Sequence, residues 1–251
     1  MSIEPKLKGK GPQRRGPHPL GELPDDLVVR IGKHIVHRIS VGQADITGDD
    51  FGTILAKALD GEHRQKPLGI ADVTWNECAW CVKTIQDKNP FNQKKICLIS
   101  GRNSPQHSYE INDPLKDIEA TGAAVLNIWN KRLNQSLAEH DDMRIFILIR
   151  NMATLQFTLI EMEASRFIPA DYRWEKSKGK NLWGFHRLTN ERRFRWQPHG
   201  SQFSIFHQVP ASACRFRIVK QPPVVEEHEI LKFVGYEDSW IQKVSAEPQL
   251  L

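Results

Sequence analysis

Between residues 69 and 85 the chain reads GIADVTWNECAWCVKTI, a stretch in which Asp72, Cys78, Cys81 and Lys83 could do chemistry. Its pattern predicts two strands, Gly69–Trp75 and Ala79–Ile85, joined by a short turn at Asn76-Glu77. Asp72 would then lie in the first strand. Cys81 and Lys83 would share one face of the second, because side chains alternate with period two. Ile70, Val73, Ala79, Val82 and Ile85 make the surroundings apolar, where a lysine is costly unless it has a partner or a task. Asp72 across the hairpin can be that partner. Two readings follow: a catalytic carboxylate–ammonium pair, or a plain cross-strand ion pair with Lys83 reaching to the sheet edge. Cys78 and Cys81 have CxxC spacing, but no second CxxC or nearby His pair completes a zinc site. At i and i+3 in a strand they also face opposite sides, as buried apolar cysteines would.

A second group of residues could read nucleic acid. In Ser100-Gly101-Arg102-Asn103-Ser104, Arg102 suits guanine edges or phosphate and Asn103 suits adenine, although an ordinary turn would look the same. Gln197, His199 and Gln202 surround a turn in WQPHGSQ and fit base or backbone contacts, or simply a hydrogen-bonded turn. Arg192, Arg193 and Arg195 suit phosphate neutralisation. Arg14 and Arg15 could enter a minor groove. The charge distribution supports a polyanionic partner. Residues 166–220 hold twelve Lys/Arg against three acids, a net +9, and residues 1–20 carry +4, in a chain whose total is only +5.

The elements that must position these groups are legible as periodicities. Residues 1–24, rich in Gly, Pro and basic residues, read as a disordered arm without the apolar run of a secretory signal. Pro24-Asp25-Asp26 starts a helix with Leu27, Val28, Ile31, Ile35 and Ile39 on one face. A second helix, capped by Thr47 or Asp49, carries Phe51, Ile54, Leu55, Ala58 and Leu59 and ends at Gly61. Ile96–Ser100 reads as a strand, and Asp113-Pro114 opens a long helix whose Ile118, Val125, Ile128, Trp129, Leu133 and Leu137 line one side. Arg144–Arg150 (RIFILIR) reads as a central strand covered on both faces, with Leu155–Met162 beside it. The expected fold is α/β: a mixed central sheet flanked by helices over residues 25–165, a basic, partly β region over 166–222, and an acidic and polar tail over 223–251. No apolar run reaches the roughly 18 residues of a membrane span. Four cysteines without a disulfide-scaffold spacing suggest a reducing cytoplasm.

The hairpin Asp72…Cys81-Val82-Lys83, with a helix before it and a strand and long helix after it, resembles the core of the PD-(D/E)XK nuclease superfamily. The segments IADVTWNECAWCVKT, ICLISGRNSP and FRWQPHGSQFSI are similar to parts of bacterial type II restriction-like endonucleases, and the likeness covers roughly residues 45–220. The resemblance implies a metal-binding role for Asp72 and a role for Lys83 in positioning or activating the attacking water. It assigns Glu62 to the acidic position that many members carry at the preceding helix, with Mg²⁺ held by Asp72 and Glu62. It implies site-specific hydrolysis of double-stranded DNA, a homodimer, and a companion DNA methyltransferase acting on the same site. One departure stands out. Cys81 occupies the second acidic position, and thiolate is a poor ligand for Mg²⁺. Three outcomes follow: Glu62 does the missing work, Glu161 or Glu163 moves in from a neighbouring strand, or the chain binds DNA without cutting it.

Overall fold

The computed structural model describes residues 16–64 and 69–243. Helix α1 (Asp25–Ser40) has Asp25 and Asp26 in its first turn and His37 and Arg38 in its last, matching the helix dipole at both ends. Its Leu27, Ile31, Ile35 and Ile39, each four residues apart, form one buried stripe. Helix α2 (Gly48–Leu59) starts with a capping box between Thr47 and Asp50. It ends at Asp60, which takes the left-handed conformation at φ 54°, and not at Gly61. Gly61 is needed for a different reason: a Cβ there would lie 2.4 Å from the Thr74 carbonyl oxygen.

The first sheet contains β1 (Glu62–His63), β2 (Val73–Trp75), β3 (Cys78–Gln86), β5 (Asp142–Asn151), β6 (Gln156–Glu163) and β11 (Cys214–Arg217), in that spatial order. Only β3 and β5 run parallel; the other pairs are antiparallel. That parallel pair requires a crossover. It passes through β4 (Lys95–Arg102), the short helix α3 (Pro105–Tyr109) and the long helix α4 (Ile118–Leu137). The long helix begins at Ile118, capped by the Asp117 side chain, rather than at Asp113-Pro114. As the RIFILIR run predicts, β5 is central and doubly covered. Phe146 and Leu148 pack with α1 and α2, while Ile145, Ile147 and Ile149 pack with Trp129 and Leu133 of α4.

The basic aromatic region does not simply extend the central sheet. It builds β7 (Tyr172–Lys176), β8 (Leu182–His186), β9 (Arg192–Gln197) and β10 (Gln202–Gln208), which with β4 form a second, antiparallel sheet in the order β4-β10-β9-β8-β7. Phe194, Trp196, Phe203 and Ile205 of its inner face share one core with α4 and the first sheet. Residues beyond Pro222 pack little, although they include a capped helix, α5 (Glu227–Phe233). Among the described residues no helix is long and apolar enough to cross a membrane.

The arm expected over residues 1–24 is corrected in its last third. His18 is buried against Glu161 (Nε2 to Oε2, 3.0 Å), and the Gly21 N–H donates to the same oxygen at 3.0 Å. Arg14 and Arg15 lie outside the described residues. Glu161 also accepts from Trp80 Nε1 (2.8 Å) and Arg144 Nη1 (3.1 Å), while Arg144 grips Asp142 through Nη2 at 2.7 Å. Burial alone would raise the Glu161 pKa, but the bonds from His18, Trp80 and Gly21 win and lower it. Arg144 is the cation between two buried carboxylates. Arg144→Met should therefore lower stability by about 3–5 kcal/mol, because Asp142 and Glu161 are left uncompensated. Urea unfolding followed by circular dichroism checks this, and a loss below about 1 kcal/mol would contradict it.

Candidate active site and nucleic-acid face

The geometry around Asp72 starts from a length mismatch. β3 has nine residues but β2 only three, so β2 pairs with Cys78–Trp80 alone and leaves the rest of that β3 edge without a strand. Asp72 sits just before β2 rather than within the predicted strand Gly69–Trp75. Its N–H still donates to the Trp80 carbonyl at 2.8 Å. Its carboxylate then takes the place of the next strand carbonyl, with Oδ2 accepting the Val82 N–H at 2.8 Å. Lys83 follows directly. Its Nζ lies 3.6 Å from Asp72 Oδ2 and donates to the Val82 carbonyl at 2.9 Å. Both side chains are about one-quarter exposed, so the pair is neither sealed nor free in solvent.

Burial opposes the charge on Lys83, but Cys81 and Asp72 favour it more strongly, and the net shift is upward. Lys83 is therefore an ammonium group at neutral pH, a donor and a positive charge rather than a proton acceptor. Cys81 is buried on the same face, and burial pushes its thiol pKa up against the pull of the Lys83 ammonium. Cys78 faces the opposite core, as the CxxC spacing in a strand requires.

Asp72, Val82 and Lys83 line a cavity of about 370 Å³ together with Gly48, Asp49, His63 and Arg64. Asp49, His63 and Arg64 are the residues that sequence reasoning missed here. Asp49 read as a possible helix cap, but Thr47 fills that role. His63 Nδ1 lies 3.2 Å from Thr53 Oγ1 on α2, and its Nε2 lies 3.7 Å from Asp49 Oδ1. Arg64 donates its N–H to the Asp72 carbonyl and reaches Glu139 with its guanidinium.

Glu62, expected as the second metal ligand, is exposed on β1 opposite Thr74 and does not line this cavity. Glu161 is equally unavailable: it faces the α1–α2 side of the sheet with Phe146, while Lys83 pairs with Ile147 on the other side. Glu163 shares the face of Glu161 by alternation. Among the described residues the one other carboxylate lining the cavity is Asp49. Among the described residues no three His, Cys, Asp or Glu side chains form a ready metal cluster. Mg²⁺ does not require one, since it usually takes one or two carboxylates and fills its octahedron with water and phosphate oxygens. Asp72 and Asp49 fit that requirement by donor type; Cys81 does not.

The nucleic-acid candidates divide by the face of the second sheet. Arg102, Gln202 and Gln197 pair directly across β4, β10 and β9, forming one outward row, and exposed His199 lies at the adjoining turn. Arg195 pairs with Ser204 in the next outward row. Arg192 lies between two rings, 4.4 Å from Trp183 and 4.6 Å from Phe206, where stacking fixes the guanidinium plane and leaves its edge free to donate. Lys95 over Phe206 at 5.6 Å and Arg173 over Phe185 at 4.8 Å also stack, but both are engaged by acids: Lys95 Nζ lies 3.3 Å from Glu191 Oε1, and Arg173 pairs with Glu175.

Two candidates are corrected. Asn103 is fully buried; its Nδ2 donates to the Val125 carbonyl at 2.9 Å, and its own carbonyl accepts from Trp196 Nε1 at 2.8 Å. It fastens β4 to α4 and cannot reach a base. Arg193 is turned inward by a register shift where β8 meets β9, and lines a cavity of about 700 Å³ with His207. The outward face and the Asp72 cavity are joined through α4. Arg132 donates to the Ser100 carbonyl at 3.0 Å and to the Gly69 carbonyl at 3.3 Å, holding the end of β4 beside the segment that leads to Asp72. Gly101, at φ 123°, leaves room for that guanidinium.

No protein-family model, curated protein or solved structure matches the chain.

The inward turn of Arg193 has a measurable consequence. Burial, reinforced by Arg193, lowers the His207 pKa to about 4. The unfolded chain takes up that proton near pH 6.5 and the folded chain does not, so stability is lost as pH falls from about 6.5 towards 4. Thermal unfolding should show this loss, and His207→Phe should flatten it. An unchanged slope in the variant would contradict the burial of a neutral imidazole.

Proposed function

We propose that this chain is a Mg²⁺-dependent endonuclease that hydrolyses phosphodiester bonds of double-stranded DNA at specific sites, of the PD-(D/E)XK type. The observation that carries the reading is the meeting of the Asp72 carboxylate and the Lys83 ammonium in one half-buried cavity at an unpaired strand edge. An ion pair placed only for stability gains little from such a position, whereas a phosphate can approach it. The outward cations of the second sheet support a polyanionic substrate.

Mg²⁺ would be held by Asp72, with Asp49 as the second carboxylate in place of Glu62. When bound, it would acidify a coordinated water and offset charge on the phosphate. The remaining work falls to the chain. The Val82 N–H fixes the orientation of the Asp72 carboxylate. Lys83, held as an ammonium, donates to the attacking water or to a phosphate oxygen and stabilises the negative charge that builds up as water adds to phosphorus and the P–O bond to the leaving oxygen breaks. A proton acceptor other than Lys83 must take the proton of the water. Arg102, Gln197, His199 and Gln202 would contact base edges and backbone, and Arg192 and Arg195 would neutralise phosphates. The setting we propose is the cytoplasm, with a companion methyltransferase protecting the host's copies of the site.

A second reading is favoured by Cys81. With a buried thiol at the second acidic position, the chain would be a nuclease-fold protein that binds DNA and does not cut it.

Unmethylated plasmid incubated with the protein and Mg²⁺ separates the two. The nuclease reading expects discrete fragments, a loss of roughly 10²–10⁴-fold in rate for Asp72→Ala and Lys83→Ala, and a rate near wild type for Glu62→Ala. A folded Lys83→Ala protein cutting at the wild-type rate would refute it, and DNA retention without cleavage would favour the binding reading. For the interface, Arg192→Glu with Arg195→Glu should weaken binding and reduce the slope of log K against log salt by about 0.9 for each lost phosphate contact. Unchanged affinity and slope would remove the second sheet from the DNA interface.

A further inference from the structure

The inward turn of Arg193 leaves a cation without a task. Gly184 of β8 pairs with Phe194 and Phe185 pairs with Arg192, so Arg193 is the extra residue of a bulge, a device that re-aims a side chain. Among the described residues its guanidinium makes no ion pair and no hydrogen bond. A half-buried charge in that state is costly. His207 lines the same cavity of about 700 Å³; it is 8% exposed, and its Nε2 is buried without a hydrogen-bond partner. Two unsatisfied polar groups therefore meet in one place. The fold makes that place twice over. β9 pairs with β10 only as far as Ile205, and β11 pairs with β6 only as far as Leu159. Both pairings stop at the corner where residues 210–213 carry the chain from the second sheet to the first.

The walls select the occupant. Ile160, Met162 and Ala213 line the cavity and belong to the core that holds Phe194 and Ile205, so the side of Arg193 is apolar. Alternation along β6 sends Glu161 and Glu163 to the opposite side of the sheet, and Glu22 is exposed. Arg193 is the one Arg or Lys among the described residues that line the cavity, which suits a single negative charge better than two. A guanidinium presents two parallel N–H donors that match a carboxylate. Burial keeps the His207 imidazole neutral at pH 7, with one N–H to donate. Apolar walls with a few convergent polar groups, in a volume of about 300–1,000 Å³, are the usual make-up of a small-molecule site. We propose that this cavity binds a small carboxylic acid with an apolar body, its carboxylate on Arg193 and His207 and its hydrocarbon against Ile160, Met162 and Ala213. The proposal does not rest on the nuclease reading.

The test is a titration of octanoate, and separately of benzoate, into the full-length ¹⁵N-labelled protein without DNA or metal, so its outcome is independent of cleavage. At least one acid should shift the amides of Ile160, Met162, Arg193 and His207 saturably, with a dissociation constant below about 1 mM. Octanol, which lacks the acid, and inorganic phosphate, which lacks the hydrocarbon, should bind there at least roughly tenfold more weakly. Arg193→Gln should weaken the acid by about tenfold or more and leave the melting curve without ligand unchanged, since the guanidinium has no protein partner to lose. Neither acid moving these amides would overturn the proposal, as would an Arg193→Gln protein that binds the acid as tightly as the wild type. Phosphate or octanol binding as tightly as the acid would overturn the class of ligand assigned.

Discussion

β3 outruns β2, and most of what is distinctive in this molecule follows from that mismatch. A strand edge cannot leave its N–H groups unpaired in a half-buried place without cost. Here the first unpaired group, the Val82 N–H, is satisfied by a side chain instead of a backbone carbonyl. The side chain that can do so is a carboxylate on the last residue before the short strand. Lys83, next in sequence to Val82, is then bound to lie beside that carboxylate. The placement of Asp72 and Lys83 is a consequence of strand pairing, and the pair needs no separate scaffold. Because β2 stops, the space beside the pair stays open, with Asp49 and His63 from the neighbouring elements lining it.

The same sheet needs a parallel partner for β3, and the long crossover this demands supplies the first strand of the second sheet. β4 leaves the first sheet and starts another, and α4 packs between the two. Arg132 on α4 joins the end of β4 to Gly69. The outward cations and the Asp72 cavity are therefore fixed to one element, the arrangement that the proposed nuclease function requires if binding is to align the reacting groups. On the other side of the first sheet, the cluster of Arg144, Asp142, Glu161 and Trp80 also captures His18. Residues 16–23 thereby become part of the body.

Much of this was legible in the sequence where one periodicity dominated. The four-residue spacing of Leu27, Ile31, Ile35 and Ile39 could only be a helix stripe, and RIFILIR could only be a strand covered on both faces. The Asp72–Lys83 pairing was legible because alternation and a hairpin turn suffice to bring the two together. What failed depended on long-range choices. Asn103 and Arg102 are adjacent in a polar loop, yet the pairing of β4 with β10 sends one inward and the other outward. Arg193 looked like its neighbours Arg192 and Arg195, but a single register shift reversed its side. Glu62 stood near the hairpin in sequence, and only the pairing of β1 with β2 shows that it lies outside the cavity that Asp49 enters from α2. No local pattern reports that the residues after Phe167 close into a sheet with β4, because the pairing partner lies 100 or more residues earlier, as in Gln202 opposite Arg102.

The account stands on Asp72 being the group that holds a divalent cation in that cavity. The most direct measurement is paramagnetic: Mn²⁺ in place of Mg²⁺, titrated into ¹⁵N-labelled protein without DNA. The account predicts selective broadening of the Val82, Lys83 and Asp49 amides at substoichiometric metal, and its loss in Asp72→Asn, which preserves the hydrogen bond to Val82. Broadening that persists in Asp72→Asn, or that centres elsewhere in the chain, would contradict it.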